Sequence, residues 1–272
     1  MIFASDKGRM CNNILQYGHV YAWAREHGRK SISMRFCYKY QYFNVCHTRF
    51  HNFLTYALAK FAGFCHLIPT VNFNDDSEET ARSNEQWMLR HSTFIVRGWY
   101  VRYYDLFLKY KKDIIRLFSF DPAITEKTRS FMKPKTDGEL RLGIHIRRGD
   151  YKTWQGGRYF YDDDVYQNYA KQFCQLFPDK KITIYICSND PALNKEFYQA
   201  ELQPATVILP QGGQEDDLCL LSECDFLIGA PSTFSLVASM YRDIPLCWME
   251  ERSVSLSLAS FKHFDELFRN IK

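Results

Sequence analysis

The 272-residue sequence contains no run of about 18 consecutive apolar residues, which removes a membrane-spanning helix from consideration. Its opening, Met1-Ile2-Phe3-Ala4-Ser5-Asp6, has neither the positive start nor the long apolar centre of a signal peptide, so the expected location is the cytoplasm. The nine cysteines include no CxxC pair and no zinc spacing, and this excludes a metal-stapled or disulfide-framed small fold in favour of free thiols. Nor does any segment carry an interpretable nucleic-acid recognition motif.

Apolar and aromatic residues are plentiful. At 46% hydrophobic, with 18 Tyr and 22 Phe, the chain has ample material for packed cores and for stacking faces. The net charge of +4 hides an asymmetry: residues 1–136 carry 21 Lys+Arg against 11 Asp+Glu, or +10, and residues 137–272 carry 14 against 20, or −6. Such halves imply two domains with different partners. The linker chemistry of Phe131-Met132-Lys133-Pro134-Lys135-Thr136-Asp137-Gly138 puts the boundary between 136 and 137.

The most informative run is Gly143-Ile144-His145-Ile146-Arg147-Arg148-Gly149-Asp150-Tyr151. Leu140, Leu142, Ile144 and Ile146 alternate with Arg141, Gly143, His145 and Arg147, the period of a strand, and Arg148-Gly149-Asp150 then turns the chain. Two adjacent guanidinium groups at a strand tip suit a diphosphate, because each offers a rigid, permanently charged fork.

Further strands are expected at Lys181–Cys187, Val207–Pro210, Asp225–Ala230 and Ile244–Met249, and helices over 159–177, from Ser188-Asn189-Asp190-Pro191, over 215–223, after Ser232 and over 261–271. Five strands alternating with helices predict a doubly wound α/β sheet. The tips at Arg147, Ser188 and Ala230 would then share its carboxyl edge, where such sheets bind ligands. Ser232-Thr233-Phe234 would open a helix whose first amides can meet phosphate oxygens.

The first half shows the same theme less cleanly. A short strand enters Asp6-Lys7-Gly8-Arg9-Met10-Cys11-Asn12-Asn13, and a helix follows to Glu26. Phe36, Tyr38, Tyr40 and Tyr42 alternate with Cys37, Lys39 and Gln41 as in a strand. Phe50, Phe53, Leu54, Ala57, Leu58 and Phe61 form one stripe of a helix, expected to face the core.

Taken in order, these runs resemble the GDP-fucose-dependent fucosyltransferases, most closely the α-1,2 family. The resemblance is carried by His145 to Tyr151, by Asp217-Leu218-Cys219-Leu220-Leu221-Ser222-Glu223-Cys224-Asp225-Phe226-Leu227-Ile228, by Ser232-Thr233-Phe234, and by Gly8-Arg9-Met10-Cys11-Asn12-Asn13-Ile14-Leu15-Gln16-Tyr17. It implies a GT-B architecture, two Rossmann-like domains facing a central cleft, with 1–136 on the acceptor side and 137–272 holding the GDP-sugar. By the same resemblance Arg147 grips the β-phosphate with Arg148 beside it, and His145 and Asp217 address the nucleotide. Ser232, Thr233 and Phe234 hold phosphate and ribose, and Arg9 and Asn12 face the fucose and the acceptor. An Asp at 217 suits guanine, which offers a ring N–H and an exocyclic amine to one carboxylate. Asp150, next to the arginine pair, reads as an ion-pair partner sooner than as a general base.

The implied activity is inverting transfer of L-fucose from GDP-fucose to a sugar hydroxyl, α-1,2 on a galactoside of a surface glycan, with no metal or other cofactor. Asp162-Asp163-Asp164 sits where a helix begins and reads as helix-start solvation, not as a metal motif. The expected partners are GDP-fucose and a glycan acceptor, free or lipid-linked, with peripheral contact at the inner face of the membrane and no nucleic acid. An α-1,6 transferase and a catalytically silent GDP-sugar-binding protein are the alternatives. Cys11, Asn13 and Pro231 depart from the family's usual Gly, Gln and Asn, which leaves linkage and acceptor open.

Overall fold

The computed structural model describes residues 1–5 and 7–271. It is an α/β protein of two compact units, Met1–Asp121 and Pro122–Lys272.

In the first unit β1 (Ile2–Ala4), α1 (Met10–Glu26), β2 (Ser31–Ser33), α2 (Phe53–Phe64), β3 (Thr70–Asn72), α3 (Glu78–Arg90) and β4 (Phe94–Arg97) precede two short helices, α4 (Tyr104–Lys109) and α5 (Lys111–Leu117). The strands pair in parallel in the order β2-β1-β4-β3. Buried Ile14, Leu15, Tyr17, His19, Val20 and Trp23 lie on every side of α1, so this helix is a core element and not a surface one.

Two expectations for this unit fail. Residues 36–42 form no strand: Arg35–Cys37 is a 3₁₀ turn and Tyr40 takes φ +62°. The aromatic alternation instead feeds a cluster in which Phe36 packs 5.0 Å from Phe118 and 5.9 Å from Phe43. The stripe on α2 does not face the core either. Phe53, Leu54, Leu58 and Phe61 are each at least 60% exposed, and the helix packs inward through Ala59 and Gly63.

The second unit runs α6 (Pro122–Phe131), β5 (Glu139–Ile146), α7 (Asp163–Leu176), β6 (Lys181–Ser188), α8 (Lys195–Glu201), β7 (Thr206–Ile208), α9 (Gln214–Leu221), β8 (Phe226–Gly229), α10 (Thr233–Arg242), β9 (Leu246–Trp248) and α11 (Phe264–Phe268). Its five strands are parallel in the order β7-β6-β5-β8-β9. Leu142, Ile144 and Ile146 of β5 pack with Tyr166, Tyr169, Ala170 and Phe173 of α7. Gly143, on the other face of β5 beside α9, must be small: a Cβ there would stand 2.7 Å from Leu221 and from Leu227.

Helix α6 belongs to this unit, tied to α9 by the ion pair of Lys127 with the buried Asp216. The units therefore divide at Asp121, before α6, and the expected boundary at 136 falls in the loop after it. No helix starts at Ser188-Asn189-Asp190-Pro191, because Asp190 is turned to Arg148; α8 is instead capped by Asn194, which accepts from the Phe197 amide at 3.0 Å. All nine cysteines are free thiols. Among the described residues no helix is long and apolar enough to cross a membrane.

Candidate functional site

The strand order of the second unit reverses direction between β5 and β8, and at such a switch point the connections leave on opposite faces and open a crevice beyond the strand ends. His145 is the residue at that point. In register it lies between Cys187 of β6 and Gly229 of β8, on the face covered by α9 and α10. Its imidazole stacks on Phe234, centroids 4.7 Å apart and planes 24° from parallel. Burial, with the neighbouring Arg147 guanidinium, pushes its pKa down to about 3, so the ring is neutral. Its Nδ1 is buried with no hydrogen-bond partner, an unmet polar atom of the kind a bound ligand satisfies.

Arg147 and Arg148, adjacent in sequence, are used differently. Arg147 makes a 2.9 Å ion pair with Asp150 and lies over the Tyr151 ring at 5.5 Å. Tyr151 in turn donates its hydroxyl to the Pro231 carbonyl at 2.6 Å, which ties the loop after β5 to the loop after β8. Arg148 turns away to Asp163 at the start of α7 and to Asp190 after β6, the latter at 2.8 Å, and Tyr198 donates to the same Asp163 at 2.7 Å. Its backbone also exchanges bonds with the Asn189 amide at 2.8 and 3.2 Å. Arg148 therefore braces the strand tip, and Arg147 is the guanidinium at the crevice. Asp150 pairs with Arg147, not with Arg148.

Ser232 caps α10 by accepting from the Phe234 amide at 3.1 Å, which aims the first turn of the helix, with Thr233 and Phe234, at the switch point. Ser188 closes β6 and its hydroxyl accepts from the Asp190 amide at 3.0 Å, a turn-holding contact. Neighbouring carboxylates on α9 divide their work. Asp216 is buried and accepts from the Gly213 amide at 2.7 Å and from Lys127, fixing the helix start. Asp217 is half-buried, and burial, reinforced by Asp216 and Glu215, raises its pKa to about 7. Its carbonyl lies 4.0 Å from the Cys187 sulfur, so Asp217, Cys187, His145, Gly229 and Phe234 form a row across the carboxyl end of the sheet.

Arg9 and Asn12 are brought together in the first unit, at the start of α1. Gly8 takes φ +67°, and a Cβ there would come within 2.6 Å of the Asn12 amide. Asn13, noted above only as a departure from the family's usual residue, clamps this loop: its side chain accepts from the Lys7 amide at 2.9 Å and donates to the Arg9 carbonyl at 2.8 Å. Gln16 anchors α1 by donating to the Gly98 carbonyl at 2.8 Å. Tyr151, Asp163 and Asp190 are the other contributors that sequence reasoning missed. Tyr151 stands in the quoted motif without a partner to reveal its use, and the two carboxylates lie 15 and 42 positions from the arginine they hold.

No protein-family model matches the chain, and no curated protein does. Solved structures do match in fold. A NodZ alpha-1,6-fucosyltransferase soaked with GDP-fucose is 12% identical, covering 91% of this chain and 94% of its own at a TM-score of 0.54. A mutant of Arabidopsis thaliana FUT1 in complex with GDP is 14% identical over 96% of this chain and 73% of its own, with TM-score 0.58. POFUT1 in complex with GDP is 12% identical over 89% and 94%, with TM-score 0.51. The chain thus has the fold found in these fucosyltransferases.

Proposed function

We propose that the protein is an inverting fucosyltransferase that uses GDP-fucose and fucosylates a sugar hydroxyl, α-1,2 on a galactoside. The observation that carries this reading is the unsatisfied, neutral His145 beside Arg147 at the switch point, facing the first turn of α10. It is a site for a nucleoside diphosphate: a ring nitrogen for an uncharged group, a fork and a helix terminus for charge. The fold is shared with proteins solved with GDP and GDP-fucose, and Asp217 offers a carboxylate to the two N–H donors of guanine.

In this reading the bond between fucose C1 and the β-phosphate oxygen breaks as the acceptor oxygen bonds to C1 from the opposite face. The acceptor proton leaves to solvent or to Asp150. Negative charge grows on the departing phosphate, and Arg147 with the α10 amides stabilises it more in the transition state than before. Arg147 exchanges its Asp150 contact for phosphate and supplies the charge a divalent cation would otherwise bring, so chelators leave turnover unchanged. The architecture is GT-B, with Arg9 and Asn12 serving fucose and acceptor.

The test is incubation of the pure protein with a panel of GDP- and UDP-sugars and acceptors, with products identified by mass and linkage. Fucosylated galactoside formed from GDP-fucose alone supports the reading. An α-1,6 product corrects the linkage, and GDP-fucose binding without turnover on any acceptor makes the chain a GDP-sugar-binding protein.

A further inference from the structure

Helix α2 is built with its small residues inward and its large ones outward. Ala59 and Gly63 pack on the sheet of the first unit, beside Met34 and Ile95, and a Cβ on Gly63 would come within 2.5 Å of the Ile95 side chain. On the outer side stand Phe53 (67% exposed), Leu54 (67%), Leu58 (60%), Phe61 (63%) and Phe64 (80%), continued by Leu67 (73%) in the turn that follows. These positions recur as neighbours on one helix face. Scattered exposed apolar residues need no explanation, but a contiguous run of six marks an interaction surface.

The charge around this face has one sign. From His27 to Asn74 the sequence contains no Asp or Glu, and it carries Arg29, Lys30, Arg35, Lys39, Arg49 and Lys60. Several of these cations lie over aromatic rings bordering the stripe. Lys60 Nζ is 5.2 Å from the Tyr56 ring and donates to its hydroxyl at 2.8 Å, Arg35 is 5.6 Å from Tyr38, and Arg49 is 5.3 Å from Phe50. Tyr38 and Tyr56 lie 4.4 Å apart. Apolar rings flanked by amphipathic tyrosines and cations match the boundary of a bilayer, where acyl chains give way to headgroups. With 12 residues α2 is about 18 Å long by its rise per residue, too short to cross the hydrocarbon core, so it would lie in the interface plane.

We infer that α2 and its following turn dock the protein on an anionic phospholipid surface, with Phe53, Leu54, Leu58, Phe61 and Phe64 entering the acyl boundary and Lys60, Arg49 and Arg35 meeting headgroup phosphates. The inference is independent of the transfer chemistry, because none of these residues belongs to the site proposed above.

The experiment is co-sedimentation of the full chain with vesicles of phosphatidylcholine alone and of phosphatidylcholine mixed equally with phosphatidylglycerol, alongside light scattering for oligomeric state. The wild type is expected to pellet with the mixed vesicles, less so with neutral ones, and less as salt is raised. The Phe61→Ser/Phe64→Ser protein is expected to lose about tenfold or more in partitioning, since the apolar transfer term is gone, with an unchanged circular dichroism spectrum. Lys60→Glu is a second variant that leaves the apolar face intact and weakens binding to anionic vesicles only. A wild type that stays in the supernatant with both vesicles overturns the inference, as does Phe61→Ser/Phe64→Ser protein that pellets as well as wild type. So does a wild-type dimer that the double substitution converts to monomer without any vesicle binding, which would assign the face to a second copy of the chain.

Discussion

The imidazole of His145 lies against the ring of Phe234, 4.7 Å between centroids, on the opposite side of the β5 tip from the α7 core. The stacked pair leaves one ring nitrogen, His145 Nδ1, buried and unmet at the tip of β5. Replacing a buried, unsatisfied polar ring by an apolar one of similar shape is neutral or stabilising for the fold, whereas a ligand that used the nitrogen loses a bond. His145→Phe is therefore expected to keep or raise the melting temperature and to weaken GDP by about 1–3 kcal/mol, measured by calorimetry. Unchanged GDP affinity would remove His145 from the site.

Arg147 and Arg148 should separate function from stability. Arg147→Ala is expected to fold normally and to lose about a hundredfold to a thousandfold in turnover, the scale of a removed charge-stabilising donor, with Arg147→Lys recovering little because a point charge lacks the fork. Arg148→Ala strands Asp163 and Asp190, whose side chains are 27% and 20% exposed, and should cost about 2–3 kcal/mol in urea unfolding. If the stability loss follows Arg147 and the activity loss follows Arg148, their roles are reversed.

The contrast shows where the sequence was legible. Period-two alternation from Leu140 to Ile146 located β5 because both of its faces are covered and its register cannot slip. All five strands of the second unit stand where the pattern put them. That Arg148 faces away from the crevice was not legible, because its partners are remote in sequence and meet only when α7 and β6 flank β5. In the first unit, Phe36 to Tyr42 looked like a strand because aromatic spacing does not distinguish a pleat from turns collapsing on Phe118. The α2 stripe was read as core for an equally local reason: periodicity reports an apolar face, not which way it turns.

Asp217 makes the site pH-sensitive. Its folded pKa of about 7 lies above the ordinary carboxylate value near 3.8, so the folded protein holds a proton there that the unfolded chain has lost. The destabilisation is absent below pH 3.8, grows as pH rises through the window between the two values, and is complete above about 7. Asp217→Asn is thus expected to raise the melting temperature at pH 8 and to leave it nearly unchanged at pH 4. The proposed guanine contact requires the ionised carboxylate, so wild-type GDP affinity should fall from pH 8 to pH 5.5, and in Asp217→Asn that dependence should flatten. Equal pH dependence in the two proteins would place the titrating group elsewhere.

In the proposed reaction Asp150 and Asn12 address the proton and the acceptor. With Asp150 engaged by Arg147 at 2.9 Å, we expect Asp150→Asn to reduce single-turnover transfer by less than about tenfold, below the scale of general-base catalysis, and Asn12→Ala to reduce it more by misplacing the sugar. A hundredfold loss confined to Asp150→Asn, with GDP affinity intact, would make Asp150 the base.

In the proposed function the second unit holds a nucleoside diphosphate and reads its base as guanine. Calorimetric titration of the intact chain with GDP, UDP and ADP at pH 8 decides this. GDP is expected to bind at least about tenfold tighter than either of the others, because only guanine pairs both donors with Asp217, with the preference collapsing in Asp217→Ala while the residual affinity still depends on Arg147. Equal affinities for the three nucleotides, or a GDP preference that survives Asp217→Ala, would contradict it.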